Sequence, residues 1–182
     1  MTTPAKVTVF IATSLDGFIA RKNGDLDWLP SPSDAVPGED HGYEALMRSV
    51  DALVMGRHTF EKVLTFAEWP YGDKPVVVLS SRHLAIPTGI RTHVQSMSGS
   101  PCEIVARLAE RGWRHLYVDG GVTIQRFLSE GLVHRLIIAR IPVLIGQGIP
   151  LFGPLPHDFR LTHIATRQFS SGVVQTEYEV VA

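Results

Sequence analysis

The chain has 182 residues and a mass of 20.1 kDa, the length of one domain, which excludes a multidomain enzyme and is treated as one unit from 1 to 182. Apolar residues make up 45% and charged residues 19%, enough to bury a core, so a disordered chain is excluded as well. Seventeen Lys plus Arg against eighteen Asp plus Glu leave a formal charge of -1, a balance with no field for gripping a phosphate backbone, and no nucleic-acid partner is expected.

The N-terminal MTTPAKVTVFIATSLDG carries one Lys and a short apolar run without the stem or cleavage site of a signal peptide. No later stretch reaches the ~20 apolar residues of a membrane span, so a cytoplasmic protein with no membrane partner is the expectation. Val7 to Thr13 reads as the first strand. The segment from 21 to 42 then packs three Pro and three Gly among polar residues, too long and irregular for an ordinary connection and therefore a candidate functional loop. Short apolar runs at Ala52 to Met55, Val76 to Leu79, Leu116 to Val118 and Leu136 to Ile141 suit strands buried on both faces of a parallel sheet. Leu161 to Phe169 and Val173 to Val181 instead alternate around Ser170-Ser171-Gly172, as an antiparallel hairpin does.

Helices are expected between the strands, at 41 to 49, 58 to 64, from Pro101 to a stop at Gly112, and at 123 to 130. The third has a complete start signal: Ser100 as cap, Pro101 at the first helical position and Glu103 three residues after the cap. Alternating strands and helices give an α/β chain, a three-layer α/β/α domain with a mixed, mostly parallel sheet and a C-terminal antiparallel hairpin. Cys102 is the single cysteine and cannot close an internal disulfide, and the eight His are scattered, so no metal site is expected.

Three strand ends carry groups suited to anions. Gly56-Arg57-His58-Thr59 follows one buried strand, Ser80-Ser81-Arg82 another, and Asp119-Gly120-Gly121-Val122-Thr123 a third. Glycines let a phosphate approach the backbone, and hydroxyls with a guanidinium suit a phosphomonoester. Neither glycine turn is a GxGxxG fingerprint or a P-loop.

With these motifs in place the chain resembles the dihydrofolate reductase superfamily, and within it the reductase domain of bacterial riboflavin-biosynthesis deaminase-reductases. The resemblance rests on SLDGFIA at 14 to 20, GDLDWL at 24 to 29, MGRHTFE at 55 to 61, PVVVLSSR at 75 to 82, VDGGVTIQRFL at 118 to 128 and PVLIGQGIPLF at 142 to 152. It implies a dihydrofolate reductase-like fold, an NADPH-dependent oxidoreductase of an aminopyrimidinone or pterin-like substrate, a homodimer, and a non-proline cis peptide at Gly120-Gly121. It assigns the NADPH phosphates to Gly56, Arg57 and Thr59, the ribose phosphate to Ser80, Ser81 and Arg82, and the pyrophosphate turn to Gly120, Gly121, Val122 and Thr123. Ala12, Ile19 and Ala20 match the wall beside the nicotinamide, and Trp28 the aromatic residue of the first loop.

An ungapped count back from Met55-Gly56-Arg57 puts the ring-holding acid of folate reductases at Asp40. A carboxylate there could hold an aminopyrimidine and help deliver a proton, or Asp40 could simply cap the next helix. Asp16 and Asp27 are alternative acids, Asp16 also suiting a turn beside Gly17. Dihydrofolate reduction proper is the first competing function, with too few apolar residues at 31 to 42 for a folate tail. A nucleotide-sensing protein without turnover is the second.

Overall fold

The computed structural model describes residues 5–30 and 36–181. Positions 31–35 of the long irregular stretch therefore lie outside the described residues. Ten strands and four α-helices follow in chain order: β1 (Lys6–Ser14), β2 (Phe18–Ala20), α1 (Tyr43–Ser49), β3 (Ala52–Gly56), α2 (Arg57–Val63), β4 (Val76–Leu79), β5 (Val94–Met97), α3 (Pro101–Glu110), β6 (His115–Asp119), α4 (Gly121–Ser129), β7 (Arg135–Ile141), β8 (Ile149–Pro150), β9 (Leu161–Gln168) and β10 (Val174–Val180).

Eight of the strands form one sheet in the order β5-β4-β3-β6-β1-β7-β10-β9. Pairing is parallel from β5 to β7, and β10 runs antiparallel to both β7 and β9. The apolar runs explain this arrangement. Val54, Val77, Val118 and Val9 turn to one face and are fully buried with Ile104 and Leu108 of α3 and Ile124 and Phe127 of α4. Leu53, Met55, Val76, Val78 and Tyr117 turn to the other, against Leu46 of α1 and Phe60 and Val63 of α2. A strand buried on both faces has no polar side to alternate, which is why these segments read as continuous apolar runs. The chain steps outward from β1 to β3, β4 and β5 and then returns to place β6 between β3 and β1. Because crossovers keep one hand, that reversal puts α1 and α2 on one face and α3 and α4 on the other.

The start of α3 forms as its sequence dictates. Ser100 Oγ accepts from the Glu103 amide at 3.2 Å, and Glu103 Oε2 accepts from the Ser100 amide at 2.8 Å. The C-terminal hairpin turns through Gly172, whose amide donates to the Phe169 carbonyl at 3.0 Å. Three strands were not foreseen. Val94–Met97 is short, half polar and lies at the sheet edge, and β2 and β8 form a separate two-stranded ribbon too short for any periodicity to show. No helix of the described residues is long and apolar enough to cross a membrane.

Candidate functional site

Parallel pairing brings the carboxyl ends of β1, β3, β4 and β6 to one edge of the sheet, and the reversal beside β6 opens a crevice there, where ligands of open α/β sheets bind. The two glycine turns at this edge lock together. A Cβ on Gly56 would lie 2.8 Å from Thr123 Oγ1 of α4, while one on Gly120 would fall inside the van der Waals envelope of Thr59 Oγ1 of α2. Each turn is roofed by a threonine from the other. Gly120 also adopts φ 92 and ψ 135, a conformation essentially closed to other residues. The Gly120-Gly121 link is trans, since no cis peptide occurs among the described residues. The expectation of a cis bond is corrected: the positive φ of Gly120 turns the chain from strand to helix unaided.

The residues singled out from the sequence sort into three groups. Gly56, Arg57, Thr59, Gly120, Gly121, Val122 and Thr123 come together at the β3 and β6 ends, with Val122 69% exposed and Thr123 buried. Ile19 Cδ1 rests 2.7 Å from where a Cβ on Gly121 would stand, and Ala20 is buried beside it, so β2 overhangs the start of α4. Arg57 Nε donates to Glu61 Oε1 at 2.6 Å. Ser80, Ser81 and Arg82 end β4, where Ser80 Oγ donates to the Arg82 carbonyl at 2.9 Å and shapes a tight exposed turn.

A second group frames the crevice. Ala12 and Trp28 belong to a small core with Ala139, Ile141 and Val173, and the Trp28 indole N–H is buried with no hydrogen-bond partner among the described residues. The third group holds structure together. Asp16 accepts from the Gly146 amide at 2.7 Å and the Ile145 amide at 3.2 Å, tying the β1–β2 turn to the segment before β8. Hydrogen bonding led by the Ser14 hydroxyl holds its carboxyl below the usual range. Asp27 pairs with Arg21 at 2.8 Å. Asp40 is exposed and accepts from the Gly42 and Glu44 amides, both at 2.9 Å. Those bonds occupy both carboxyl oxygens on amides at the start of α1, whose N-cap is Gly42, and lower the pKa of Asp40.

The strand-end glycine turn also carries a carboxyl that is not among the candidate acids, that of Asp119. Asp119 is the last residue of β6, directly opposite Met55 of β3 and one step beyond the Val9–Val118 pair of β1. It is half-buried, and burial pushes its carboxyl up to about 6 against a single opposing bond from the Gly120 amide at 2.8 Å. Its side chain shares a face with Tyr117, whose hydroxyl donates to the Phe10 carbonyl at 2.9 Å. Tyr43 of α1 packs on Phe10 with ring centroids 5.8 Å apart, and burial, then the Asp119 charge, raises its hydroxyl to about 12. Burial also raises Tyr71 and Tyr117, with Asp119 adding to both. A carboxylate closing an otherwise apolar strand, HLYVD, was the available signal.

Comparison with known proteins identifies the family and the fold. The family described as RibD C-terminal domain matches residues 5–175. The uncharacterized protein YwjB of Bacillus subtilis is 35% identical over 173 residues, covering 92% of this chain and 94% of the relative. A crystal structure of a Shewanella sp. PV-4 protein whose name proposes a role in riboflavin biosynthesis shares 44% identity and a TM-score of 0.88, covering 97% and 99% of the two chains. Dihydrofolate reductase from Enterococcus faecalis, solved with NADP(H), has 17% identity and a TM-score of 0.69 over 97% of each chain, which shows a common fold.

Proposed function

The chain belongs to the RibD C-terminal domain family, and from that premise we propose that it is an NADPH-dependent reductase of an aminopyrimidinone or pterin-like substrate, with Asp119 as its acid. The observation that carries this reading is the half-buried Asp119 carboxyl at about 6, set beside a strand-end glycine turn in the crevice. A carboxyl with that pKa is largely protonated below pH 6 and keeps a minor acid fraction of about one tenth at neutral pH, so it can deliver a proton where an ordinary aspartate cannot.

The donor set fits the cofactor. The first amides of α4 at Gly121, Val122 and Thr123 precede the first α4 backbone bond, from Ile124 to Gly120 at 2.8 Å, and can meet a pyrophosphate. Only Nε of the Arg57 guanidinium is committed to Glu61. Ser81 and Arg82 are exposed at the β4 end, placed for a 2'-phosphate. Ala12, Ile19 and Ala20 give the nicotinamide an apolar wall. When bound, NADPH supplies a hydride to the carbon of a C=N or C=O bond. The Asp119 O–H bond breaks as its proton passes to the nitrogen or oxygen of that bond, and the carboxylate regains a proton from solvent. Loss of the NADPH absorbance band over an aminopyrimidinone, a small pterin and dihydrofolate tests this. Turnover of the first two ahead of the third is expected, and preference for dihydrofolate would move the protein to folate reduction.

NADPH should bind well ahead of NADH, since Arg57, Ser81 and Arg82 offer charge-assisted bonds to a phosphate that NADH lacks. Titration of both cofactors against the wild type, Arg57→Ala and Arg82→Ala measures it. Equal affinities would overturn the phosphate assignment.

The protein is further proposed to act as a homodimer. Strand β9 closes the sheet with an unpaired edge of eight residues, and Leu161 and Ile164 on it are 44% and 50% exposed. Such an edge needs cover. Light scattering should report about twice the monomer mass of 20.1 kDa at micromolar protein, and the monomer mass would refute it.

A further inference from the structure

Tyr43 has no task in the fold that its hydroxyl is needed for. It opens α1 and its ring supplies packing against Phe10, 5.8 Å between centroids, yet the hydroxyl makes no hydrogen bond to any described residue. The other two tyrosines of this face differ. Tyr117 spends its hydroxyl on the Phe10 carbonyl at 2.9 Å, and Tyr71 is buried with its ring edge-on to Trp69 at 5.0 Å. Tyr43 alone of the three is half-buried, the other two being buried.

Register places it beside the acid. Phe10 follows Val9, which pairs with Val118, so Phe10 and Asp119 stand on neighbouring strands about 5 Å apart, and the Tyr43 ring covers Phe10. Met55 flanks Asp119 on its other side. The walls are aromatic or apolar, and no cationic side chain is close enough to Asp119 to oppose the rise of its pKa.

We propose that the Tyr43 hydroxyl is a specificity-determining contact that donates a hydrogen bond to a ring carbonyl next to the bond being reduced, so that Asp119 and Tyr43 together select an uncharged heterocycle with two adjacent acceptors. This rests on the reductase reading of the same site. A hydroxyl held near 12 stays protonated throughout the working range and is therefore a donor, never a base. Aromatic walls favour a planar ring, and the burial that disfavours the charged form of Asp119 disfavours an anionic ring as well.

Steady-state NADPH oxidation by the wild type, Tyr43→Phe and Tyr71→Phe on two matched substrates tests it, one an aminopyrimidinone and one the same ring with the carbonyl replaced by hydrogen. Tyr43→Phe should lower kcat/KM about tenfold on the carbonyl-bearing ring, the size of one neutral hydrogen bond, and leave the carbonyl-free ring unchanged. NADPH affinity and melting temperature should hold, and Tyr71→Phe should discriminate as the wild type does. Equal losses on both rings, or no loss on either, overturn the proposal while the reductase reading stands. A wild type that binds NADPH and oxidises it with neither ring overturns the reductase reading and this inference with it.

Discussion

Asp119→Asn should lower turnover by about two to four orders of magnitude, the usual worth of a positioned general acid, and at the same time make the protein more stable at neutral pH. The amide keeps the size of the carboxyl and can still accept from the Gly120 amide at 2.8 Å, so the turn survives. It has no proton to deliver. NADPH affinity should change little, since the acid serves only the group being reduced.

The stability gain follows from linkage. Burial raises the Asp119 carboxyl from 3.8 to about 6 in the folded protein. Between those values the folded state holds a proton that the unfolded chain has released, so stability is greatest below the unfolded pKa and falls as pH rises through the folded one. Two pH units at about 1.4 kcal/mol each bound the penalty at about 3 kcal/mol above that window. Asparagine never ionises and escapes it. Melting curves of both proteins at pH 4 and pH 8 should therefore nearly coincide at the lower pH and separate in favour of the variant at the higher. The wild-type kcat/KM should fall as pH rises through about 6 as the acid form is lost. A variant that turns over normally, or that is destabilised equally at both pH values, removes Asp119 from its role.

The folding pattern and the chemical site were legible to different degrees, for physical reasons. Buried parallel strands announce themselves because both faces are apolar, as in Val76–Leu79, and the α3 start is written in four adjacent residues. Both are local signals. The edge strand Val94–Met97 is half polar because only one of its sides is covered, and it reads as loop. The two glycine turns are visible because glycine and threonine sit together in sequence at each strand end. Counting along the chain points to Asp40 but cannot register that its two oxygens face the Gly42 and Glu44 amides. Asp119 belongs to the crevice through its neighbours, Phe10 and Tyr43, which lie far away in sequence and meet it only through strand order. Its perturbed acidity is a property of that assembly and has no sequence signature beyond one carboxylate ending an apolar run.

Gly120→Ala should cost about 2–6 kcal/mol of stability through two separable causes. One is conformational: φ 92 with ψ 135 is a region that a Cβ makes strained, worth about 1–3 kcal/mol. The other is steric, because the new methyl would overlap Thr59 Oγ1 and stand 3.3 Å from Thr59 Cβ and 3.7 Å from its Cγ2, and overpacking of a closed contact costs about 1–3 kcal/mol more. Thr59→Ala in the same chain removes the overlapping oxygen and leaves the backbone strain untouched. The double variant should therefore regain the steric share of the loss, up to about 1–3 kcal/mol, a coupling expected between residues in direct contact. Urea unfolding of the two single variants and the double variant measures all three terms. Additive losses would show that Thr59 does not roof the turn, and a Gly120→Ala protein within about 0.5 kcal/mol of the wild type, the range of an ordinary surface change, would show that the strand-to-helix turn is not held in this conformation. Because Gly120 leads directly into the α4 amides proposed to meet the pyrophosphate, the folded fraction of Gly120→Ala should also lose NADPH affinity, whereas Thr59→Ala alone, which leaves the backbone path intact, should lose much less.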